Sequence, residues 1–277
     1  MVEARILSLG FSPCPNDTYI FNGLVHDKVP LRLVHFAPPV LDDVETLNAW
    51  AMQSRLDVTK LSFHALGHVL DRYQLLDAGA ALGRGCGPLL ITGKRQDRHI
   101  RDWRIAIPGA YTTAALLLRL FCPDCRHLKV LRFDQIMGAI ASGEVDAGVI
   151  IHESRFTYQQ HGLQCVQDLG AWWEETTGLP IPLGCIAASR SLSPEVCAAI
   201  SEAIQDSIAW ADTHPEAGWA YIHNHARELE PEVIRSHITL YVNQFSVRLG
   251  EEGRSAIQEL FRRAGKIGLF PHAPHLL

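Results

Sequence analysis

His152 closes an apolar run, Val149-Ile150-Ile151, and opens a polar block, His152-Glu153-Ser154-Arg155. A short run of this kind reads as a buried strand, so His152 stands where the chain leaves the core. A neutral imidazole at such a point can take a proton near pH 7, typically contributing on the order of 10²–10⁴-fold to a rate. No G-x-S-x-G elbow accompanies it, and Ser154 lies too close in sequence to make a convincing nucleophile partner. Proton abstraction suits these residues better than acyl transfer.

Three further segments carry polar groups at places where strands end. Phe11-Ser12-Pro13-Cys14-Pro15-Asn16-Asp17-Thr18 is stiffened by two prolines. There Asn16 or Asp17 can cap the next helix, or Ser12, Asn16 and Asp17 can be held toward a cleft. Thr59-Lys60-Leu61-Ser62 ends an apolar strand, so Lys60 brings a positive charge to the rim and Ser62 can cap the helix after it. Pro108-Gly109-Ala110-Tyr111-Thr112-Thr113 leads into Ala114-Ala115-Leu116-Leu117-Leu118. Free N–H groups and two hydroxyls at a helix start make a carboxylate or phosphate site, or simply a threonine cap. It is neither a Walker A nor a Rossmann motif, because the glycines and lysine those need are missing. The glycine-rich stretch 79–87 is a candidate hinge-side loop, with Arg84 a possible cleft residue.

These segments need a scaffold that brings strand ends together. Strand signals at 4–10, 31–36, 56–60 and 88–92 alternate with helical spacing near 17–26, 41–53 and 62–72. The pattern restarts with strands at 104–108, 128–133 and 145–151 and helices at 112–121 and 134–142. A return strand at 183–189 precedes helices at 193–213, 215–228, 230–241 and 250–265. Such alternation predicts parallel sheets flanked by helices. A weak duplication, 54–62 against 143–151, places Ser62 and His152 in near-equivalent positions. The expected architecture is two α/β lobes around a central ligand cleft: 1–93 plus 186–277, with 94–185 inserted. In such sheets ligands gather beyond the strands' carboxyl ends.

Composition narrows the function. The 277 residues are 47% hydrophobic and 20% charged, with a formal charge of −5, which argues for an ordinary globular protein and against nucleic-acid binding. No apolar run reaches membrane-spanning length, and the first residues do not read as an export signal, so a cytoplasmic location is expected. The seven cysteines fit reduced thiols better than a disulfide framework. Cys122-Pro123-Asp124-Cys125 lacks the second ligand pair a structural zinc needs, so it reads as an inert loop and no metal is expected. His223 and His225 do not share a helix face, and Pro271-His272-Ala273-Pro274-His275 reads as a loose tail.

The segments 11–18, 59–62, 81–85, 150–158 and 168–174 closely resemble the 1,4-dihydroxy-6-naphthoate synthases of the futalosine route to menaquinone. The likeness runs from about Leu9 to Gly250. The resemblance implies a type II periplasmic-binding-protein fold and a cofactor-independent carbon–carbon lyase. Its substrate would be cyclic dehypoxanthinylfutalosine, a small carboxylate, and its products 1,4-dihydroxy-6-naphthoate and dihydroxyacetone. It maps the proton acceptor to His152, and substrate contacts to Lys60, Leu61, Ser62, Thr112 and Thr113. Two other readings share the fold: a non-catalytic binding protein for a small anionic solute, and the sibling dehydratase that acts on chorismate. The His152-Glu153-Ser154-Arg155 block favours the synthase over the sibling.

Overall fold

The computed structural model describes residues 5–93, 97–226 and 230–270. The first stretch forms β1 (Arg5–Leu7), β2 (Leu9–Phe11), α1 (Pro15–Val25), β3 (Val34–Phe36), β4 (Val40–Leu41), α2 (Val44–Ala51), β5 (Val58–Ser62) and α3 (Phe63–His68). β6 (Tyr73–Leu75), β7 (Ala81–Gly83) and β8 (Leu89–Thr92) come after it. Next come β9 (Ile105–Ile107), α4 (Thr113–Phe121), β10 (Leu128–Val130), α5 (Ile136–Ala141), β11 (Ala147–Ile150) and α6 (Ser154–Thr157). β12 (Gln164–Asp168), α7 (Leu169–Thr177) and β13 (Ile181–Ser189) complete the sheets. The chain then runs through α8 (Pro194–Thr213), α9 (Trp219–His225), α10 (Pro231–Tyr241), α11 (Gln244–Val247) and α12 (Gly250–Lys266). None of these helices is long and apolar enough to cross a membrane. The tail at 271–275 and residues 94–96 of the expected connection lie outside the described residues.

Two main sheets form, as the alternation predicts. One has the order β4-β2-β5-β13-β6, with β7 also on β13; the other has the order β10-β9-β11-β8-β12. β1 and β3 pair separately. The neighbours of β2 and β9 are parallel, but β13 runs antiparallel to β5, β6 and β7, and β8 antiparallel to β11 and β12. The all-parallel expectation therefore fails at two strands for one reason: each is the strand by which the chain crosses from one sheet to the other. Hydrogen bonding also puts β8 in the second sheet and β13 in the first, although the expected lobe boundaries assign 89–92 and 181–185 the other way. The crossings come after the breaks Gly85-Cys86-Gly87-Pro88 and Gly178-Leu179-Pro180, not at the polar stretch after Gly93. Gly87 and Gly170 meet backbone to backbone there: a Cβ on Gly87 would lie 2.3 Å from the Gly170 Cα.

Each sheet has an apolar layer. Phe11 stacks on Phe21 at 4.5 Å, and both bury with Ile20, Ile200, Ile204 and Ile208 between α1, α8 and the first sheet. Burying each such side chain contributes roughly 1.5–3 kcal/mol. A larger core joins β5, β9, α3, α4, α7 and α12 through Leu61, Ile105, Phe63, Leu116, Trp173 and Phe261. Every residue of β5 is buried, Lys60 included.

The structure corrects one cysteine expectation. Cys122 and Cys125 form a disulfide in the turn that ends α4. A tight turn, closed by Cys125 N–H donating to the Cys122 carbonyl at 3.1 Å, holds their Cα atoms 5.5 Å apart, within disulfide reach. Cys14, Cys86, Cys165, Cys185 and Cys197 are free.

Candidate active site

The carboxyl ends of β2, β5, β9 and β11 converge on one cavity, open at its mouth. Ser12, Asn16, Asp17, Lys60, Ser62, Thr112, Thr113 and His152 all line it. All eight are residues that the sequence singles out. α10 adds His237 and Tyr241, which it does not.

Two expected residues go elsewhere. Leu61 packs into the larger core, because alternation along β5 sends it to the face opposite Lys60 and Ser62. Arg84 is half-exposed and turned away from the cavity. It donates to the Gly178 carbonyl at 2.9 Å and pairs with Glu252 at 2.8 Å. Gly85, at φ +67°, supplies the turn beside it, and Ala81 and Cys86 line the cavity instead.

One wall is a polar chain. Pro15 starts α1, and Asp17 in its first turn reaches back to accept from the Ser12 N–H at 3.2 Å and hydroxyl at 2.7 Å. The same carboxylate accepts from Asn16 Nδ2 at 2.8 Å and pairs with Lys60 Nζ at 2.5 Å. The Lys60 charge is thus balanced inside the protein. Ser62 is fixed by Asn48 of α2, whose Oδ1 accepts from the Ser62 N–H at 2.9 Å and whose Nδ2 donates to its hydroxyl at 3.1 Å. Asn48 escapes a sequence reading because it sits in the middle of an apolar helical stripe.

The opposite wall is the start of α4. The Thr112 hydroxyl accepts from the Ala115 N–H at 3.2 Å, an N-cap, and donates to the Gly109 carbonyl at 2.9 Å. The Thr113 hydroxyl donates to the Leu183 carbonyl at 2.6 Å. The hydroxyls build the helix end, and Thr112, Thr113 and Ala114 line the cavity with the part of a helix whose first N–H groups lack backbone acceptors within it. Glu45 of α2 joins the two walls: its carboxylate accepts from the Tyr111 N–H at 3.1 Å, and a Cβ on Gly109 would lie 2.3 Å from its Cδ.

His152 stands between the walls at φ +58°, a left-handed conformation uncommon for any residue but glycine. Its Nδ1 lies 3.6 Å from Cys14 Sγ, and its ring is edge-on to Phe133 and stacked 6.1 Å from His237. Burial lowers its pKa below the ordinary imidazole value, an effect that the acidic neighbours Glu153 and Asp17 oppose when they are ionised. Burial also pushes the Cys14 thiol up, so it stays protonated beside the ring. The arrangement puts an imidazole and the start of α4 on the lining of one largely apolar cavity. His237 shares one helix face with Ile234 and Tyr241, and that spacing is the signal that could have found it. Among the described residues, no cluster of three or more His, Cys, Asp and Glu could hold a metal ion.

Comparison with known proteins places this geometry among relatives. The family profile described as "Menaquinone biosynthesis" matches residues 7–266. A Thermus thermophilus protein named 1,4-dihydroxy-6-naphthoate synthase is 50% identical over 98% of each chain. A Streptomyces coelicolor protein of the same name is 44% identical over 98% of this chain and 96% of its own. Among solved structures, protein AF1704 from Archaeoglobus fulgidus superposes with a TM-score of 0.90 at 36% identity, covering 96% of this chain and 98% of that one. The periplasmic aliphatic sulphonate binding protein SsuA of Escherichia coli reaches 0.66 at 14% identity, covering 99% and 91%, a likeness of fold alone.

Proposed function

The chain belongs to the menaquinone-biosynthesis family, and from that premise we propose that it is a 1,4-dihydroxy-6-naphthoate synthase with His152 as its base. Its substrate is cyclic dehypoxanthinylfutalosine. The products are 1,4-dihydroxy-6-naphthoate and dihydroxyacetone. The protein acts as a carbon–carbon lyase on a small carboxylate, in the cytoplasm.

The observation that carries the chemistry is the placement of His152: a neutral imidazole, held in a left-handed conformation, on the wall of the cavity that the start of α4 also lines. The substrate carboxylate lies on the first-turn N–H groups of α4, where backbone donors and the helix dipole favour negative charge. Ser62, held by Asn48, and the Lys60–Asp17 pair bind the polar groups opposite. His152 then takes a proton from carbon next to a carbonyl. The electrons left behind form the new double bond, the carbon–carbon bond breaks with its pair leaving on the three-carbon fragment, and that fragment takes the proton back from His152 as dihydroxyacetone, while aromatisation makes the step downhill. Electrons balance within the substrate, so the scheme needs a base and oxyanion donors but no oxidant.

The test is incubation of the purified protein with cyclic dehypoxanthinylfutalosine and no added cofactor. The expected outcome is equimolar naphthoate and dihydroxyacetone. A compound that binds tightly and returns unaltered would move the assignment to a solute-binding protein.

A further inference from the structure

Two buried polar atoms beside the site have no hydrogen-bond partner: Nδ1 of His237 and Oε2 of Glu153. They face each other at 3.8 Å, on side chains that are 1% and 12% exposed. Buried polar groups are otherwise almost always partnered, so the pair demands a cause.

The hydrogen-bond chain from Lys60 sets what the two atoms are. Asp17, held by Lys60 and Ser12, accepts from Asn16, so Asn16 turns its Nδ2 toward that carboxylate. Its Oδ1 then accepts from His237 Nε2 at 3.0 Å. Nε2 therefore carries the hydrogen, and a neutral His237 ring leaves Nδ1 bare. Burial, together with His152 and Lys60 nearby, holds His237 well below the usual imidazole range, so the ring is neutral. A bare nitrogen and a carboxylate oxygen facing each other out of water would be two acceptors without a donor.

We propose that Glu153 carries a proton on the oxygen that faces the bare Nδ1 of His237, so that the carboxyl next to His152 is uncharged when the site is at rest. The inference rests on the reading of His152 as the base and deepens it. A carboxylate one residue away would favour the imidazolium form of His152; a proton on it removes that charge and keeps the ring able to accept. The other groups facing the pair and His152 do not replace this device. Lys60 from β5 and Asp17 from α1 balance each other, Cys14 from the β2–α1 loop stays a thiol, Tyr241 along α10 stays a phenol, and Asp43 before α2 acts on His152 from farther off.

Infrared spectroscopy tests the pair without substrate. At pH 8, where exposed carboxyls are ionised, the wild-type protein should show a carboxylic-acid C=O band that is absent from Glu153→Gln. Kinetics add a second reading. His237→Gln puts an N–H donor opposite Oε2, allows the carboxyl to ionise, and should move the acid limb of kcat/KM upward by about one pH unit, a tenfold loss below the limb. Glu153→Gln stays uncharged and should leave that limb within about 0.3 unit of wild type. No acid band in the wild type, or a downward shift of the limb in Glu153→Gln, would overturn the proposal. If Glu153→Gln fails to fold, as judged by urea unfolding, loss of the band in His237→Gln decides, because that variant leaves Glu45, the other carboxyl that burial holds above the usual range, in place. If the wild type does not turn over the substrate, the functional reading falls and the infrared result still judges the pair.

Discussion

His152 is under two constraints at once, a left-handed backbone and a ring buried against Cys14, Phe133 and His237. A side chain in that backbone region costs of order 1–3 kcal/mol, retained only where the surroundings over-determine it. Both His152→Ala and His152→Gly should lose turnover by about 10²–10⁴-fold. They should differ in stability, with the glycine variant about 1 kcal/mol more stable in urea unfolding, since only glycine relaxes at φ +58°. Equal stabilities would mean that the backbone carries no strain. At this scale the sequence is readable wherever a polar residue ends an apolar strand, as with His152, Lys60 and Ser62. It is unreadable for Asn48, whose helical stripe looks like core until the fold shows what it touches, and readable for His237 only as a polar residue on an apolar helix face.

The elements decide which of those residues reach the cavity. Strand alternation excludes Leu61 although it lies between two residues that line it, and a glycine turn carries Arg84 to α7 and α12. The start of α4 is legible as a capped helix end, and Thr112 is that cap. Thr112→Ala should therefore cost about 1 kcal/mol in chemical unfolding. It should also raise KM more than it lowers kcat, because the N–H groups that face the anion lose their fixed direction. A fall in kcat at unchanged KM would mean that the helix end acts only on the reacting atoms. The crossing strands are the least legible elements. β8 and β13 are apolar runs like their neighbours, and nothing local marks which sheet receives them or in which direction.

Across the whole molecule, several buried or half-buried imidazoles are held neutral. Burial pushes His64, packed behind the Thr112 cap, down to about 4, and lowers His68, His152 and His237 as well. These groups bind protons more readily once unfolded, where an imidazole has its ordinary value. Their contribution to stability is therefore complete above about pH 6.5 and falls as the pH drops toward about 4. His64 alone should remove about 2 kcal/mol of unfolding free energy between pH 7.5 and pH 5, on the order expected from its shift. Urea midpoints at the two pH values check this, and a flat profile would contradict the burial of these rings.

The Glu45 carboxylate, seated on the Tyr111 N–H where Gly109 leaves room, spans the two halves of the molecule beside the cavity. That contact bears on timing: if the halves must part for the naphthoate to leave, release depends on how fast they move through the surrounding liquid. Turnover should slow as glycerol thickens the medium, and Glu45→Gln, with a weaker acceptor, should blunt that dependence on viscosity.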